Sequence, residues 1–400
     1  MVENKSMIYL DYNATTPVDP QVLDKMLPWF YEHPGNAASR SHPYGWRAEE
    51  AVSTARKQVA ALLEVEDKEI VFTSGATEAI NLAIKGVYEA YQRKGKHIIT
   101  VETEHKAVLD TCEHLERLGA AVSYLPVDKN GLIDPDQLAQ SIRPDTVLVA
   151  VMWANNETGV LQDMAAIGRI CAEKDVLLLS DATQAVGKIP VHPKALGIHL
   201  LACSAHKFYG PKGAGALYVS RREPRVKLTA QMDGGGHERG MRSGTLNVPG
   251  IVGMGAAAQL AGELMAGEYE RLKGLRNRLE QGLLHDLEAA WVNGAGAPRL
   301  AHTANVTFRF VESEALINTF NQNIALSSGS ACTSASLEPS HVLSAMGLSD
   351  DQAHSSLRFS LGRFTQPEEI ETAISAVRAG VERLRAVSPV WEMFREGVDL

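Results

Sequence analysis

Val176-Leu177-Leu178-Leu179-Ser180-Asp181-Ala182-Thr183-Gln184 decides the fold class. Its first four residues read as a wholly apolar strand, and a carboxylate follows at the strand's carboxyl end. Working outward, the same unit recurs. Strands are expected over 69–73, 97–101, 121–125 and 146–152, with helices over 77–92, 106–118, 134–141 and 164–174 between them. β-Branched runs alternating with amphipathic stretches predict an α/β domain on a mostly parallel sheet. Two more short strands, 200–204 and 215–220, join through a turn at Gly210-Pro211, and a long helix over about 251–287 then leaves the sheet. The last third reads as a smaller α+β unit, with strands 305–310 and 357–360 and a closing helix 367–386. The expected division is a large domain over 17–262 and a small one made of 1–16 and 263–400.

Ligands of open α/β sheets bind beyond the carboxyl ends of the strands. Asp181 is there, suited to pair with a cofactor cation, although an N-cap for the next helix explains it equally well. Thr73-Ser74-Gly75-Ala76-Thr77-Glu78 joins a strand to a helix through small residues. Free N–H groups and the helix dipole at such a start attract phosphate, and Thr77 adds a hydroxyl. Ser74 and Glu78 as plain capping residues are the rival account. Neither a Gly-Lys-Ser/Thr nor a G-x-G-x-x-G run is present, so ATP and nicotinamide readings lose their usual support. In Ala202-Cys203-Ser204-Ala205-His206-Lys207-Phe208-Tyr209-Gly210-Pro211-Lys212-Gly213, Lys207 lies just past an apolar strand. Such a lysine can lose its proton readily and act as an amine nucleophile. Pyridoxal phosphate chemistry uses that lysine together with an acid facing the pyridinium nitrogen. An acid and then a lysine, each at the end of a short strand, is an order few other chemistries require.

Cys332 lies in Ser327-Ser328-Gly329-Ser330-Ala331-Cys332-Thr333-Ser334-Ala335-Ser336. No bulky side chain anchors that stretch, so an exposed, mobile loop is expected, with a thiol that is nucleophilic as its thiolate. Buried, inert cysteine is the general rival. Cys112, Cys171 and Cys203 fall beside apolar residues on expected helices or a strand and read as structural. No two of the four cysteines have zinc-ligand spacing, and scattered thiols suit a reducing cytosol.

The 400 residues carry a net charge of −9, with 45% hydrophobic and 22% charged side chains. That composition is ordinary for a globular protein and lacks the basic field of a general nucleic-acid binder. The N-terminus has no apolar signal core, and apolar runs such as 147–154 are too short to span a bilayer. A cytoplasmic setting is expected, with no membrane or direct nucleic-acid partner.

Further motifs are Tyr9-Leu10-Asp11-Tyr12-Asn13-Ala14-Thr15-Thr16-Pro17, Thr103-Glu104-His105-Lys106-Ala107 and Asn155-Asn156-Glu157. Gly234-Gly235-Gly236-His237-Glu238-Arg239-Gly240-Met241-Arg242-Ser243-Gly244-Thr245 and Ser356-Leu357-Arg358-Phe359-Ser360 follow. Together with the runs above they make the chain resemble, over nearly its full length, the cysteine desulfurases of the IscS/NifS type, and the housekeeping IscS subgroup in particular. The resemblance implies the fold of type I pyridoxal phosphate enzymes, with a large mostly parallel sheet domain and a smaller α+β domain. It implies that Lys207 holds the cofactor covalently, that His105 stacks on its ring and moves protons, and that Asp181 pairs with the pyridinium nitrogen. It assigns Gln184 to the ring's phenolic oxygen, Asn156 to cofactor or substrate, and Ala76, Thr77, Ser204 and His206 to the phosphate cup. Thr245 of a second subunit completes that cup, which implies a homodimer. Arg358 takes the substrate carboxylate. Cys332 accepts sulfur from L-cysteine as a persulfide and passes it to an iron–sulfur scaffold protein and to tRNA-thiolation carriers. A transient 2Fe-2S ligand role for Cys332 is a further implication.

Other readings are an aminotransferase or selenocysteine lyase on the same fold, and an idle scaffold. A transaminase has no use for the Cys332 run, and a scaffold has none for Lys207, Asp181 and His105. Arg221, Arg222, Arg225 and Lys227, clustered with the single acid Glu223, stand out on so acidic a chain. A solvated charged turn is the ordinary account. An acidic regulator or sulfur acceptor docking there is the functional one.

Overall fold

The computed structural model describes residues 7–222, 224–328 and 338–398. Its strands are β1 (Ile8–Tyr9), β2 (Ile70–Thr73), β3 (His97–Val101), β4 (Ala121–Leu125), β5 (Thr146–Ala150), β6 (Leu177–Asp181) and β7 (Leu200–Ser204). They continue as β8 (Gly215–Val219), β9 (Ala290–Val292), β10 (Thr303–Phe308), β11 (Ile324–Ala325), β12 (Ser327–Ser328) and β13 (Ser356–Ser360).

The main sheet has seven strands in the order β2-β8-β7-β6-β5-β3-β4. Strands β3 to β7 are parallel, as their alternation with helices requires. Strand β8 runs antiparallel to both β7 and β2. It follows β7 without an intervening α-helix, so the chain simply turns back instead of crossing over. Because β8 is antiparallel to both neighbours, β2 points the same way as the parallel set. Strands β5 to β8 are buried along their whole length, because helices cover both faces of the sheet. One face packs against helices Pro43–Leu62 and Met164–Glu173 and the start of helix Val248–Leu284. The other packs against helices Ala76–Ala90 and Lys106–Glu116.

A second, antiparallel sheet has the order β12-β13-β10-β9. In β10, Ala304, Val306 and Phe308 join an apolar core with Leu357 and Phe359 of β13, while Thr303, Asn305 and Thr307 alternate with them. Strand β1 pairs with β11, and Asp11 then bridges to Ser360. The segment after β1 reaches the large sheet, where Thr16 donates its N–H to the His206 carbonyl at 2.9 Å.

Helix Val248–Leu284 joins the two parts without interruption. Its Ile251 and Met254 belong to the core of the large sheet, and its Leu275, Leu279 and Leu283 to that of the small one. A division at 262 falls inside it. Helices Pro20–Met26 and Pro43–Leu62 show no periodicity strong enough to predict them. The buried face of the latter is Gly45, Ala48, Val52, Ala55 and Val59, mostly small residues that write a weak apolar stripe. Strands β1, β11 and β12 have two residues each, too few for any period to show.

Candidate active site

The carboxyl ends of β2, β3, β5, β6 and β7 lie on one edge of the large sheet. Each is followed by a chemically active segment, and these segments surround a cavity of about 520 Å³. Ala76, Thr77, His105, Asn156, Asp181, Gln184, Ser204, His206, Lys207 and Arg358 all line it. Thr245 does not, and is exposed on this chain. Cys332 lies outside the described residues.

At one end of the cavity the helix Ala76–Ala90 begins. Gly75 is its N-cap and supplies no side-chain acceptor. Glu78 instead takes the N–H of Ser74 at 2.7 Å and pairs with Arg242 at 2.7 Å. Its carboxylate thus ties the glycine-rich 234–245 segment to this helix and leaves the first helical N–H groups without a cap. A Cβ on Gly215 would come within 2.5 Å of the Gly75 Cα, so glycine lets the two backbones approach here. A Cβ on Gly75 would meet only the Ser204 hydroxyl at 3.7 Å, so space lies open in front of the helix start. His206 contacts the Thr15 hydroxyl through Nδ1 at 3.0 Å. Burial, reinforced by Lys207 and Lys212, pushes its pKa down to about 4. It therefore offers this end a hydrogen bond and no charge.

At the middle of the cavity Asp181 is buried at 5% exposure, and its carboxylate takes the Thr183 N–H at 2.9 Å. It has no ion-pair partner among the described residues. The Thr183 hydroxyl beside it is buried without a hydrogen-bond partner among the described residues. Lys207 donates from Nζ to the carbonyls of Asn13 and Ala14 at 2.5 and 2.9 Å. Gln184 donates to the same Asn13 carbonyl at 3.0 Å. His105 caps helix Lys106–Glu116, its Nδ1 accepting the Ala107 N–H at 3.0 Å. Nδ1 is thereby the unprotonated nitrogen, and Nε2 carries the proton of the neutral ring.

At the far end Arg358 is 3% exposed. One terminal nitrogen pairs with Asp11 at 2.7 Å and the other donates to the Asn156 carbonyl at 3.1 Å. Its Nε is buried with no partner among the described residues. A buried guanidinium with a donor to spare has the chemistry to take a further carboxylate.

The model for the aminotransferase class-V family matches residues 8–372. The cysteine desulfurase IscS of Escherichia coli (strain K12 / DH10B) is 58% identical over 401 residues, covering 99% of this chain and 98% of that protein. The chain belongs to the class-V aminotransferase family, among its cysteine desulfurases. A solved NifS-like protein has 36% identity and a TM-score of 0.87, over 94% of this chain and 100% of that one. A solved SspA in complex with cysteine has 36% identity and a TM-score of 0.78, over 90% of this chain and 100% of that one.

This family depends on pyridoxal phosphate, and the cavity fits it. An uncapped helix start with a hydroxyl in front suits the phosphate. A buried carboxylate lacking a cation suits a pyridinium nitrogen, and the lysine amine lies in the same cavity. The 9–17 and 155–157 motifs by themselves give Asp11, Asn13 and Glu157 no role. Their contacts supply one. Asn13 is 1% exposed, and its side chain also holds the Asn156 carbonyl at 3.1 Å and the Thr303 hydroxyl at 3.0 Å. A residue that is polar in a segment without periodicity gives no signal beyond the motif itself.

Cys112, Cys171 and Cys203 are buried, and burial pushes each thiol up to about 12. They are inert at neutral pH, as structural cysteines are. No helix among the described residues is long and apolar enough to cross a membrane.

Proposed function

We propose that this cysteine desulfurase takes sulfur from L-cysteine, gives L-alanine, and carries the sulfur as a persulfide on Cys332. The observation that supports it most is the convergence of Lys207, Asp181, His105 and Arg358 on one cavity. Ala76, Thr77, Ser204 and His206 would hold the phosphate, Asp181 and Gln184 the ring, and Lys207 the carbonyl carbon. When bound, pyridoxal phosphate supplies an electron sink for charge that develops on the substrate carbon. Arg358 binds the substrate carboxylate and Asn156 flanks it. Lys207 is the amine that moves the α-proton, and the Nε2–H of His105 is a second donor within the same cavity. The Cys332 thiolate forms the new S–S bond as the substrate C–S bond breaks, and a proton delivered to carbon completes alanine.

In this reading residues 17–262 form the cofactor domain, and 1–16 with 263–400 the domain carrying Cys332. The split of the helix Val248–Leu284 between two cores supports that division. The protein acts as a homodimer in which each Thr245 serves the other subunit's phosphate cup. Its exposure and its absence from its own cavity support this. The persulfide passes to an iron–sulfur scaffold protein and tRNA-thiolation carriers in the cytoplasm, with Cys332 able to ligate a transferred 2Fe-2S cluster. Exposed Arg222 and Arg225, with Arg221, dock an acidic regulator. Arg221 and Arg225 border a hollow of about 490 Å³ with Lys227 and Arg239, while Arg222 pairs with Glu66 at 3.2 Å.

The test is Cys332→Ser. It should bind the cofactor and L-cysteine as the parent does and form no persulfide, because a hydroxyl cannot take the sulfur. A persulfide mapped to Cys112, Cys171 or Cys203 of the parent would overturn the assignment.

A further inference from the structure

Glu157 follows the cavity-lining Asn156 in sequence and is 7% exposed. Its Oε2 accepts the hydroxyl of Ser340 at 2.5 Å. Ser340 is itself buried and caps the helix His341–Ala345. Among the described residues Glu157 has no ion pair. Arg358, whose guanidinium donates to the carbonyl of the preceding residue Asn156 at 3.1 Å, already pairs with Asp11 at 2.7 Å. A partly exposed acid, Asp11, is thus paired with the arginine, while a buried acid, Glu157, stands one residue beyond the Asn156 carbonyl that the same arginine holds. A substrate carboxylate arriving at Arg358 is a third. Three carboxylates near one guanidinium leave the most deeply buried of the protein's two, Glu157, without compensation, and a proton is the cheapest remedy.

We propose that Glu157 takes up a proton from solvent when the substrate carboxylate binds Arg358, and releases it when the site empties. This rests on the assignment of the substrate carboxylate to Arg358. Glu157 is a positioning residue in this scheme: it sets the charge Arg358 has to offer.

The surrounding groups single out Glu157 for this role. Arg358 on β13 and His105 after β3 face it, and Asp11 reaches Arg358 from the segment after β1. On the Ser340 side, His341 holds the Glu104 carbonyl at 2.9 Å and burial keeps its ring neutral. Glu104 is fully buried, and burial holds its carboxyl protonated well above the usual range. Burial pushes Glu157 up to about 7, against the pull of the Ser340 hydroxyl, Arg358 and His105. Below that pH the acid is protonated with or without substrate, and binding moves no proton. Above it, binding must draw the proton in, so affinity falls as pH rises. By linkage, the bound carboxylate raises the proton affinity of Glu157 by the same factor.

The experiment is titration calorimetry of the holoenzyme with L-alanine between pH 6 and 9, in two buffers of different ionisation enthalpy, for the parent, Glu157→Gln, Ser340→Ala and Arg358→Ala. Glu157→Gln fixes the neutral state. The ratio of parent to Glu157→Gln affinity, in which titration of the alanine amine cancels, should fall about fivefold or more above pH 7. The variant should also lose part of the proton uptake. Ser340→Ala removes a donor to the carboxylate and should move the fall to higher pH. A ratio constant with pH, together with equal proton uptake, overturns the proposal. So does an unmoved profile in Ser340→Ala, which decides the matter even where Glu157→Gln fails to fold. Arg358→Ala separates the two failures. If it binds L-alanine as the parent does, the carboxylate assignment itself falls. If it loses binding while Glu157→Gln behaves as the parent, only the role of Glu157 falls.

Discussion

Asp181 is the last residue of β6, whereas Arg358 is the middle residue of β13. Both charged groups reach the same cavity, by different routes. Strand β6 is covered by helices on both faces, so Leu177, Leu178 and Leu179 are all apolar and a charge can appear only where the strand stops. Strand β13 has one apolar face. Leu357 and Phe359 enter the core of the small sheet, and Ser356, Arg358 and Ser360 alternate with them. Its neighbour β10 does the same, with Asn305 opposite Arg358 in the register. A buried network supports that polar face. Asn293 donates to Asn305 at 2.7 Å and to Thr307 at 2.9 Å, and Thr307 contacts Ser356 at 2.8 Å. The large sheet thus presents chemistry from its edge, and the small sheet from its face. Substitutions past the end of a large-sheet strand should separate chemistry from stability. On the small sheet, adjacent residues of one strand should do so.

The largest effect is expected past the end of β7. Lys207→Ala should lose cysteine turnover and the visible absorbance of the bound cofactor while its thermal unfolding stays close to the parent's, since Nζ donates to loop carbonyls at the cavity and packs in no apolar core. Turnover retained by this variant would show that the chemistry does not come from the edge of the large sheet. On β13, Phe359→Ala should destabilise the fold by about 3–5 kcal/mol, read by denaturant unfolding, through loss of a fully buried aromatic side chain. The folded fraction should keep its KM for L-cysteine. The next residue should do the reverse. Arg358→Lys should raise KM by about tenfold or more, since a charge-assisted hydrogen bond is worth about 1.5–3 kcal/mol. Equal KM changes in both variants would show that the two faces are not independent. Asn293→Ala should cost about 1–3 kcal/mol by leaving buried polar partners unsatisfied. The smallest effect belongs to a region remote from the cavity. Changing Arg221, Arg222 and Arg225 together to Glu should leave cysteine turnover unchanged and weaken salt-sensitive binding of an acidic partner, read by titration at two ionic strengths. Unchanged binding would return this patch to ordinary solvated surface.

The large sheet was legible because each of its strands is a short apolar run bounded by an amphipathic helix. The order of those units implies which ends lie together, so Asp181, the Ser204–Lys207 segment, His105 and the Ala76–Thr77 helix start could be placed at one edge before any coordinate was known. The thiols of Cys112, Cys171 and Cys203 were legible for the same reason, since apolar neighbours in sequence became apolar neighbours in space. Less could be read of the small sheet, where strands of two or three residues carry no period.

By itself, the sequence determined the alternation that makes a parallel sheet, the acid and lysine at two strand ends, and the family to which they belong. These are local properties, set by a few consecutive side chains. Only the tertiary structure decided that Asp11, from the first strand's exit, would share Arg358 with the Asn156 carbonyl, and that Glu157 would be buried against Ser340 without an ion pair among the described residues. Those contacts join residues 183 or more positions apart. No pattern along the chain encodes them, because burial and charge pairing belong to the space between elements and not to any one of them.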